Sequence, residues 1–236
     1  HGRKFEPPLT PEDVKQMIRQ GLPPGLADPS SKLRTAVGMC IAQICKTDWP
    51  KQWPGLLEWL VSAIKERQDP NLVHGVLRTL GMLSGDIEED QMAPVVQVLL
   101  PELLAILSDA RYGPSVHRRC LAILHSLLGQ LGVMSGAHQR KVRDLMAPLL
   151  EPWVPALVGV LAAELTLAPA CWALKQEALQ VVVQLVSYFG KMLGGHMAAL
   201  LAPCWRMFTR EGLAMYQAVL VEGQGADDLA EEVDSE

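Results

Sequence analysis

The chain has 236 residues, 49% of them apolar and 5% aromatic, so it can bury a sizeable core of leucine, valine, alanine and methionine. The uncharged apolar run Pro152–Ala163 has twelve residues, short of the roughly 20 that a membrane helix needs, so we expect a soluble protein. The odd number of scattered cysteines argues against a disulfide framework and predicts buried, reduced thiols at Cys40, Cys45, Cys120, Cys171 and Cys204.

The net charge of −5 is unevenly distributed along the chain. Residues 222–236 contain seven acids and no base, which leaves 19 acids against 21 bases in residues 1–221. We interpret 222–236 either as a solvated acidic linker or as a tail that attracts a basic partner by long-range steering. Because the sequence begins at His1 and not at a methionine, we expect it to be part of a longer chain.

Apolar residues recur at helical spacing from the start of the chain. The first helix is predicted to begin at Thr10-Pro11, and Pro23-Pro24-Gly25 should end it. Its apolar face should consist of Val14, Met17, Ile18 and Leu22. A second helix is predicted over 31–46, with an apolar stripe of Leu33, Val37, Cys40, Ile41 and Ile44.

Two Trp-Pro pairs follow, Trp49-Pro50 and Trp53-Pro54. A proline lacks the backbone N–H and disfavours helical torsions in the residue before it, so no helix can run through this stretch. One helix should end near Lys46 and another should begin near Pro54. The two indoles are predicted to fill a rigid structural corner between paired helices.

The helical pattern continues to about residue 210. Asp69-Pro70 should separate two helices, a bend is expected at Pro101, and Gly113-Pro114 should start another helix. The segment 137–163 should kink at Pro152 or Pro155, 171–189 should be helical, and the last helix should end at Arg210. The predicted helix pairs are 10–46, 54–85, 90–131 and 137–190, with a final half pair at 195–209 and the acidic segment 222–236 outside the array.

No segment shows the two-residue period of a strand bounded by hairpin turns, so the predicted fold class is all-α. The helix pair recurs after 39, 45 and 56 residues, intervals that scatter around the HEAT-repeat period of roughly 40–47 residues. We therefore predict an α-solenoid of HEAT repeats, in which antiparallel helix pairs bury their apolar faces against their neighbours.

The corner Asp48-Trp49-Pro50-x-x-Trp53-Pro54, preceded by Lys32-Leu33-Arg34 and followed by Val73-His74-Gly75, resembles the N-terminal HEAT repeats of the importin-β superfamily. Further cues are Phe5 with Pro7-Pro8, Gln91-Met92, Leu100-Pro101-Glu102 and Glu231-Glu232-Val233-Asp234. The resemblance implies a right-handed superhelical stack covering repeats two to five and the first helix of the sixth, without the first repeat.

The resemblance also implies a function. Members of the family are nuclear import receptors that bind Ran-GTP and carry basic cargo such as histones and ribosomal proteins between cytoplasm and nucleus, with nucleoporins as further partners. A second hypothesis is a HEAT-repeat scaffold subunit of a multiprotein complex, for example a phosphatase or coat subunit, with no dependence on Ran. Neither hypothesis involves a cofactor.

In the family the second helix of each pair lines the concave side. The solvent face of such a helix lies opposite its apolar stripe, which yields a polar and mildly basic set of candidate protein-binding residues. They are Lys32, Thr35, Lys46, Arg78, Met82, Arg118, His125, Gln176 and Gln180.

Catalytic and metal-binding patterns are not evident in the sequence. His117, Cys120 and His125 would spread over about 140° of a helix, with no further ligand to complete a tetrahedral zinc site. Phosphate-binding glycine loops and hydrolase motifs do not occur. The basic clusters at Arg111–Arg119 and Arg140–Arg143 lack interleaved aromatic residues, which argues against nucleic acid as a partner. We therefore expect neither an enzyme nor a metal protein.

Overall fold

A computed structural model describes residues 10–164 and 168–221, and within these ranges the chain forms helices and no strand, which confirms the predicted all-α class. The chain divides into two compact units, residues 1–83 and 84–236. The acidic segment 222–236 and the Phe5-x-Pro7-Pro8 cue lie outside the described residues.

The first unit contains four α-helices among its described residues. They are α1 (Glu12–Gly21), α2 (Ser31–Asp48), α3 (Leu56–Glu66) and α4 (Pro70–Leu83), with a 3₁₀ turn at Pro23–Ala27. Helix α4 packs against both α2 and α3, and the 3₁₀ turn packs against α2 and α4. This turn places Leu26, which is fully buried, against α2 and α4.

Glycines allow α2, α4 and the 3₁₀ turn to approach closely. A Cβ atom on Gly75 of α4 would lie 2.3 Å from the backbone oxygen of Leu26, and one on Gly38 of α2 would lie 2.7 Å from the Thr79 hydroxyl. The buried face of α2 therefore centres on Gly38, Ile41, Ala42 and Cys45. The predicted stripe is correct for Ile41, but it is wrong for Leu33 and Cys40, which are exposed because α4 packs at the glycine.

Helix α1 departs further from its predicted orientation. Its apolar residues Val14, Met17 and Ile18 face solvent, and Met17 is 70% exposed. The most buried residue of the helix is instead Arg19, 7% exposed. The helix begins one residue after Pro11, with no side-chain cap from Thr10. Arg19 therefore lies on the face of α1 that turns inward, where it forms the ion pairs described below.

The corner residues Trp49, Pro50, Trp53 and Pro54 lie between α2 and α3. Helix α2 ends at Asp48, whose carbonyl accepts hydrogen bonds from the backbone N–H groups of Gln52 (2.6 Å) and Trp53 (3.0 Å). The Trp49–Pro50 peptide bond is cis, and both indoles are half-buried. Helix α3 begins at Leu56, two residues later than predicted.

The second unit is built on longer helices. They are α5 (Glu89–Leu107), α6 (Pro114–Ala162), α7 (Pro169–Phe189), α8 (Met197–Arg206) and α9 (Gly212–Val221), with a 3₁₀ turn at Gly190–Met192 and a π-helical turn at Met207–Glu211. Helix α6 packs against α5, α7 and α8. Its buried residues, among them Leu121, Leu128 and Leu157, form the centre of this unit.

One boundary in this unit agrees with the prediction and one differs from it. The backbone of α6 leaves helical torsions at His138 (φ −127°, ψ 44°), close to the predicted boundary between residues 131 and 137, and the helix then continues through Pro152 and Pro155. Helix α5 continues through Pro101, and the bend expected there stays a prediction. Helical structure does not end at Arg210, because the π-helical turn carries the chain into α9.

By length and composition alone, α5 and α6 would pass as membrane spans. The core helix of a helical protein passes the same test, and the apolar residues Val96, Leu99 and Leu103 of α5 are buried within this unit. The expectation of a soluble chain stays a prediction.

Candidate protein-binding surface

Two candidate residues of the first unit form a direct contact. The Arg78 guanidinium on α4 donates a hydrogen bond of 2.7 Å from Nη1 to the Thr35 hydroxyl on α2, and that hydroxyl donates to the Ser31 carbonyl at 2.7 Å. Both side chains are half-buried. The pair connects α2 to α4, so a partner that engages Arg78 would act on the packing of these two helices.

The other three candidate residues of this unit do not take part in the Arg78–Thr35 contact. Lys32 and Lys46 are exposed near opposite ends of α2, about 21 Å apart along the helix axis at 1.5 Å per residue. Met82, in the last turn of α4, is half-buried. The structure thus places an arginine–threonine contact on this face and two lysines well apart from each other.

Arg34 and Arg19 form hydrogen bonds and ion pairs between segments for which the sequence analysis predicted no contact. Arg34 Nη1 donates to the carbonyls of Asp28 (2.6 Å) and Pro29 (2.9 Å) and to the Asn71 side chain (3.2 Å), which ties the start of α2 to the start of α4. Arg19 on α1 lies 2.6 Å from both Asp48 and Glu12.

The Arg19 contacts determine the electrostatics at the end of α2. Arg19 also donates a hydrogen bond of 3.2 Å to the Gln52 side chain, so it links α1 to the Trp-Pro corner. Burial raises the pKa of the Asp48 carboxyl, but hydrogen bonds from Arg19 and Thr47 lower it by more, so the pKa lies below its usual range. The hydrogen bond from Arg19 likewise lowers the pKa of Glu12.

In the second unit His125 is held between two side chains of α7. Its Nδ1 atom lies 3.3 Å from a Glu177 carboxylate oxygen, and its Nε2 atom lies 3.1 Å from the Gln184 amide nitrogen. The candidates Gln176 and Gln180 are exposed on the same helix, and Arg118 is half-buried two turns before His125 on α6. The structure therefore brings His125 to α7 through Glu177 and Gln184, which were not among the predicted residues.

A cavity of about 480 Å³ adjoins His125. It is bounded by the start of α5, by the residues of α6 that precede His138, and by Gln184 of α7. Its walls include the apolar side chains of Met92, Val133 and Met134 and the polar groups of Glu89, Ser126 and Gln130. We call it the α5–α6 cavity.

The end of α6 is held by cations that the sequence did not single out. Lys175 of α7 is 3% exposed, and its ammonium donates to the carbonyls of Leu161 (2.9 Å) and Ala163. Arg206 of α8 donates to the Ala162 carbonyl at 2.6 Å. The last carbonyls of a helix have no intrahelical donor and carry partial negative charge, so these cations stabilise the helix end.

One of the residues that the sequence analysis missed could have been found from its spacing along the helix. Gln184 lies four residues after Gln180, so it extends the predicted polar face of α7 by one turn. No sequence pattern marks Lys175 or Arg19. A lone cation on an amphipathic helix is normally solvated, and only the neighbouring helix determines whether it is buried.

Among the described residues no group of three or more histidine, cysteine or acidic side chains could hold a metal ion. His117 instead lies 3.2 Å from the Asp109 carbonyl, and Cys120 is buried in α6. Of the cysteines, Cys45 and Cys120 are buried as predicted, while Cys40 is exposed. Burial, and then the nearby Asp48 charge, raises the pKa of the Cys45 thiol to about 12. Cys45 therefore stays protonated and unreactive.

Comparison with known proteins relates this arrangement to transport receptors. Residues 30–96 match the family described as Exportin 1-like protein. Importin-9 of Drosophila melanogaster is 27% identical over 210 residues, which covers 88% of this chain and 20% of that relative. The chain thus spans about a fifth of the length of the relative.

Shorter matches fall in the same superfamily. Importin-11 of Mus musculus is 31% identical over 67 residues, 28% of this chain and 7% of the relative. Transportin of Dictyostelium discoideum is 30% identical over 98 residues, 40% of this chain and 10% of the relative. These matches confirm the resemblance to the importin-β superfamily, including its likeness to importin-9, and with it the all-α HEAT-repeat solenoid class.

Proposed function

From this similarity to the importin-β superfamily we propose that the chain is part of a nuclear transport receptor, which binds Ran-GTP and basic protein cargo such as histones or ribosomal proteins and shuttles between cytoplasm and nucleus. The observation that carries the proposal is the importin-9 match, because it extends over 88% of the chain. The proposed activity is binding and involves no chemical conversion.

The proposal assigns protein contacts to the polar faces of α2, α4, α6 and α7. In the first unit the exposed Lys32 offers a cation to an acidic surface of a partner, and Lys46 lies at the other end of the same helix. Arg78 would act on partner binding and on helix packing together, since it already bonds to Thr35. In the second unit, Gln176 and Gln180 offer hydrogen-bonding groups beside Glu177.

The proposed mechanism is mechanical. In a stacked-repeat protein each repeat contacts mainly its neighbours, so small rotations between repeats change the curvature of the binding face. If Ran-GTP prefers one curvature and cargo another, each ligand lowers the affinity of the other by the same factor. Links between inner helices, such as Thr35–Arg78, are the contacts that such rotations would strain.

A nucleotide-dependent pull-down tests the proposal. Immobilised chain should retain Ran loaded with a non-hydrolysable GTP analogue and should retain little Ran loaded with GDP. Lys32→Glu should weaken retention about tenfold, because it reverses an exposed charge on the proposed face. The matched control is Lys65→Glu on α3, also exposed, which should change retention less than twofold.

Equal retention of the two nucleotide forms would contradict the Ran assignment and would favour the scaffold hypothesis. Equal weakening by Lys32→Glu and Lys65→Glu would contradict the assignment of the contact to this face of α2.

A further inference from the structure

The α5–α6 cavity combines apolar walls with acceptor oxygens. Met92, Val133 and Met134 supply apolar surface around a volume of about 480 Å³, enough for one long side chain. Met92 is fully buried and Val133 is 74% exposed, so the apolar lining runs from the interior of the unit to its surface. A guest that enters here can keep an aliphatic stem in contact with protein over its length.

The polar groups of the cavity include several acceptor oxygens. Glu89 contributes a carboxylate, and Ser126 contributes a hydroxyl. The side-chain oxygen of Gln130 is enclosed and has no hydrogen-bond partner within the described residues. An enclosed acceptor without a donor is destabilising, and a donor brought by a guest would remove that penalty. No lysine or arginine occurs among the described residues that line the cavity.

Two histidines near the cavity each contact a carboxylate. His138 Nε2 lies 2.7 Å from a Glu89 oxygen, but a carboxylate accepts several hydrogen bonds and has capacity for a second donor. Glu177 lies 3.3 Å from His125 Nδ1. Each of the two histidines therefore faces a carboxylate of its own.

We propose that the α5–α6 cavity binds a lysine or arginine side chain of a protein partner. The aliphatic stem would lie against the methionines while the charged head donates to Glu89, Ser126 or Gln130. An anionic guest would be repelled by Glu89, and an apolar guest would leave the acceptors without donors. The segment 86–90, with four acids and no base, favours the approach of a basic surface.

This inference rests on the proposed function in one respect, namely that the partner is the basic cargo. Binding of a basic side chain can be measured without Ran or cargo. Failure of the cavity to bind would therefore leave the Ran pull-down unaffected, and failure of that pull-down would not alter the cavity measurement.

The experiment is a titration of the full 236-residue chain, labelled with ¹³C at the methionine methyl groups, at about 150 mM salt. The probes are synthetic twelve-residue peptides rich in lysine, in arginine or in Nε-acetyl-lysine. Lysine or arginine peptide should shift the Met92 and Met134 signals, whereas acetylated peptide should not. Met17 and Met39, exposed in the first unit, serve as internal controls whose signals should stay in place.

Two variants with matched controls localise the binding. Glu89→Gln should raise the dissociation constant about tenfold, and Glu88→Gln, an adjacent exposed acid outside the lining, should raise it less than twofold. Gly129→Met should abolish the shifts by filling the cavity. Gly129→Ala should not, because an added Cβ meets only the Gln184 amide at 3.9 Å.

Three results would overturn the proposal. They are basic peptide binding that leaves Met92 and Met134 unmoved, equal effects of Glu89→Gln and Glu88→Gln, and unchanged affinity in a Gly129→Met chain whose circular dichroism shows it folded. A preference for lysine over arginine peptide, or the reverse, identifies the basic side chain that fits and supports the proposal either way.

Discussion

Different kinds of contact stabilise the inside of each of the two units. In the first, glycines bring backbones into contact and arginines connect the segments, since Arg19, Arg34 and Arg78 bond to residues 29 to 43 positions away. In the second, a leucine-rich α6 is enclosed by its neighbours, and cations hold its last turn. Both units bury apolar side chains, and the first adds directional arginine contacts between segments far apart in the chain.

The largest expected effect tests the close backbone approach in the first unit. Gly75→Ala should destabilise the chain by about 3 kcal/mol, because the added Cβ would lie 2.3 Å from a backbone oxygen that cannot move without its turn. Urea unfolding followed by circular dichroism measures the change. Gly159→Ala is the control, since nothing lies within 4 Å of the added atom, and it should stabilise α6 by about 0.5 kcal/mol. Equal midpoints for the two variants would contradict the packing argument.

The next effect tests the buried cation in the second unit. Lys175→Met should cost about 1–3 kcal/mol, because it keeps the aliphatic bulk but leaves the carbonyls of Leu161 and Ala163 without this donor. Lys191→Met, at an exposed position after α7, should stay within about 0.5 kcal/mol of the parent chain. A Lys175→Met chain as stable as the Lys191→Met chain would show that apolar burial alone holds α6 and α7 together.

The smallest expected effect is a pH dependence in the first unit. The pKa of Asp48 lies below its usual range, so its contribution to stability is present above about pH 4 and is lost as the pH falls through the lowered value. Asp48→Asn should therefore lower the unfolding midpoint at pH 7, and the difference from the parent should vanish near pH 2. The control, Asp13→Asn on the exposed first turn of α1, should show no such difference. A difference for Asp48→Asn that is independent of pH would exclude the ion pair with Arg19 as its cause.

Helix existence was predictable because it follows from local spacing. The Trp-Pro corner, the helix starts near 31, 70 and 114, and the all-α class all follow from proline chemistry and a 3.6-residue period. The break in α6 was predicted between residues 131 and 137 and lies at His138, while the kink expected at Pro152 or Pro155 stays a prediction.

Which face of a helix is buried was less predictable than whether the helix forms. Leu33 and Cys40 were expected in the core and Arg19 was not considered for it, yet Arg19 is buried and both apolar residues are exposed. Periodicity identifies an apolar stripe, but a small residue such as Gly38 can shift the contact to a different side of the helix. For the candidate surface, the sequence listed His125 but not the Glu177 and Gln184 side chains that hold it.

The sequence by itself determined that this chain is a series of helices interrupted at Trp-Pro and Gly-Pro positions, because backbone restrictions act within a few residues. It also carried the resemblance to the importin-β superfamily. Only the tertiary structure decided which side of α1 and α2 is buried, that Lys175 caps α6, and that a cavity with acceptor oxygens lies between α5 and α6. Those outcomes depend on contacts between residues far apart in the chain, which local patterns do not encode.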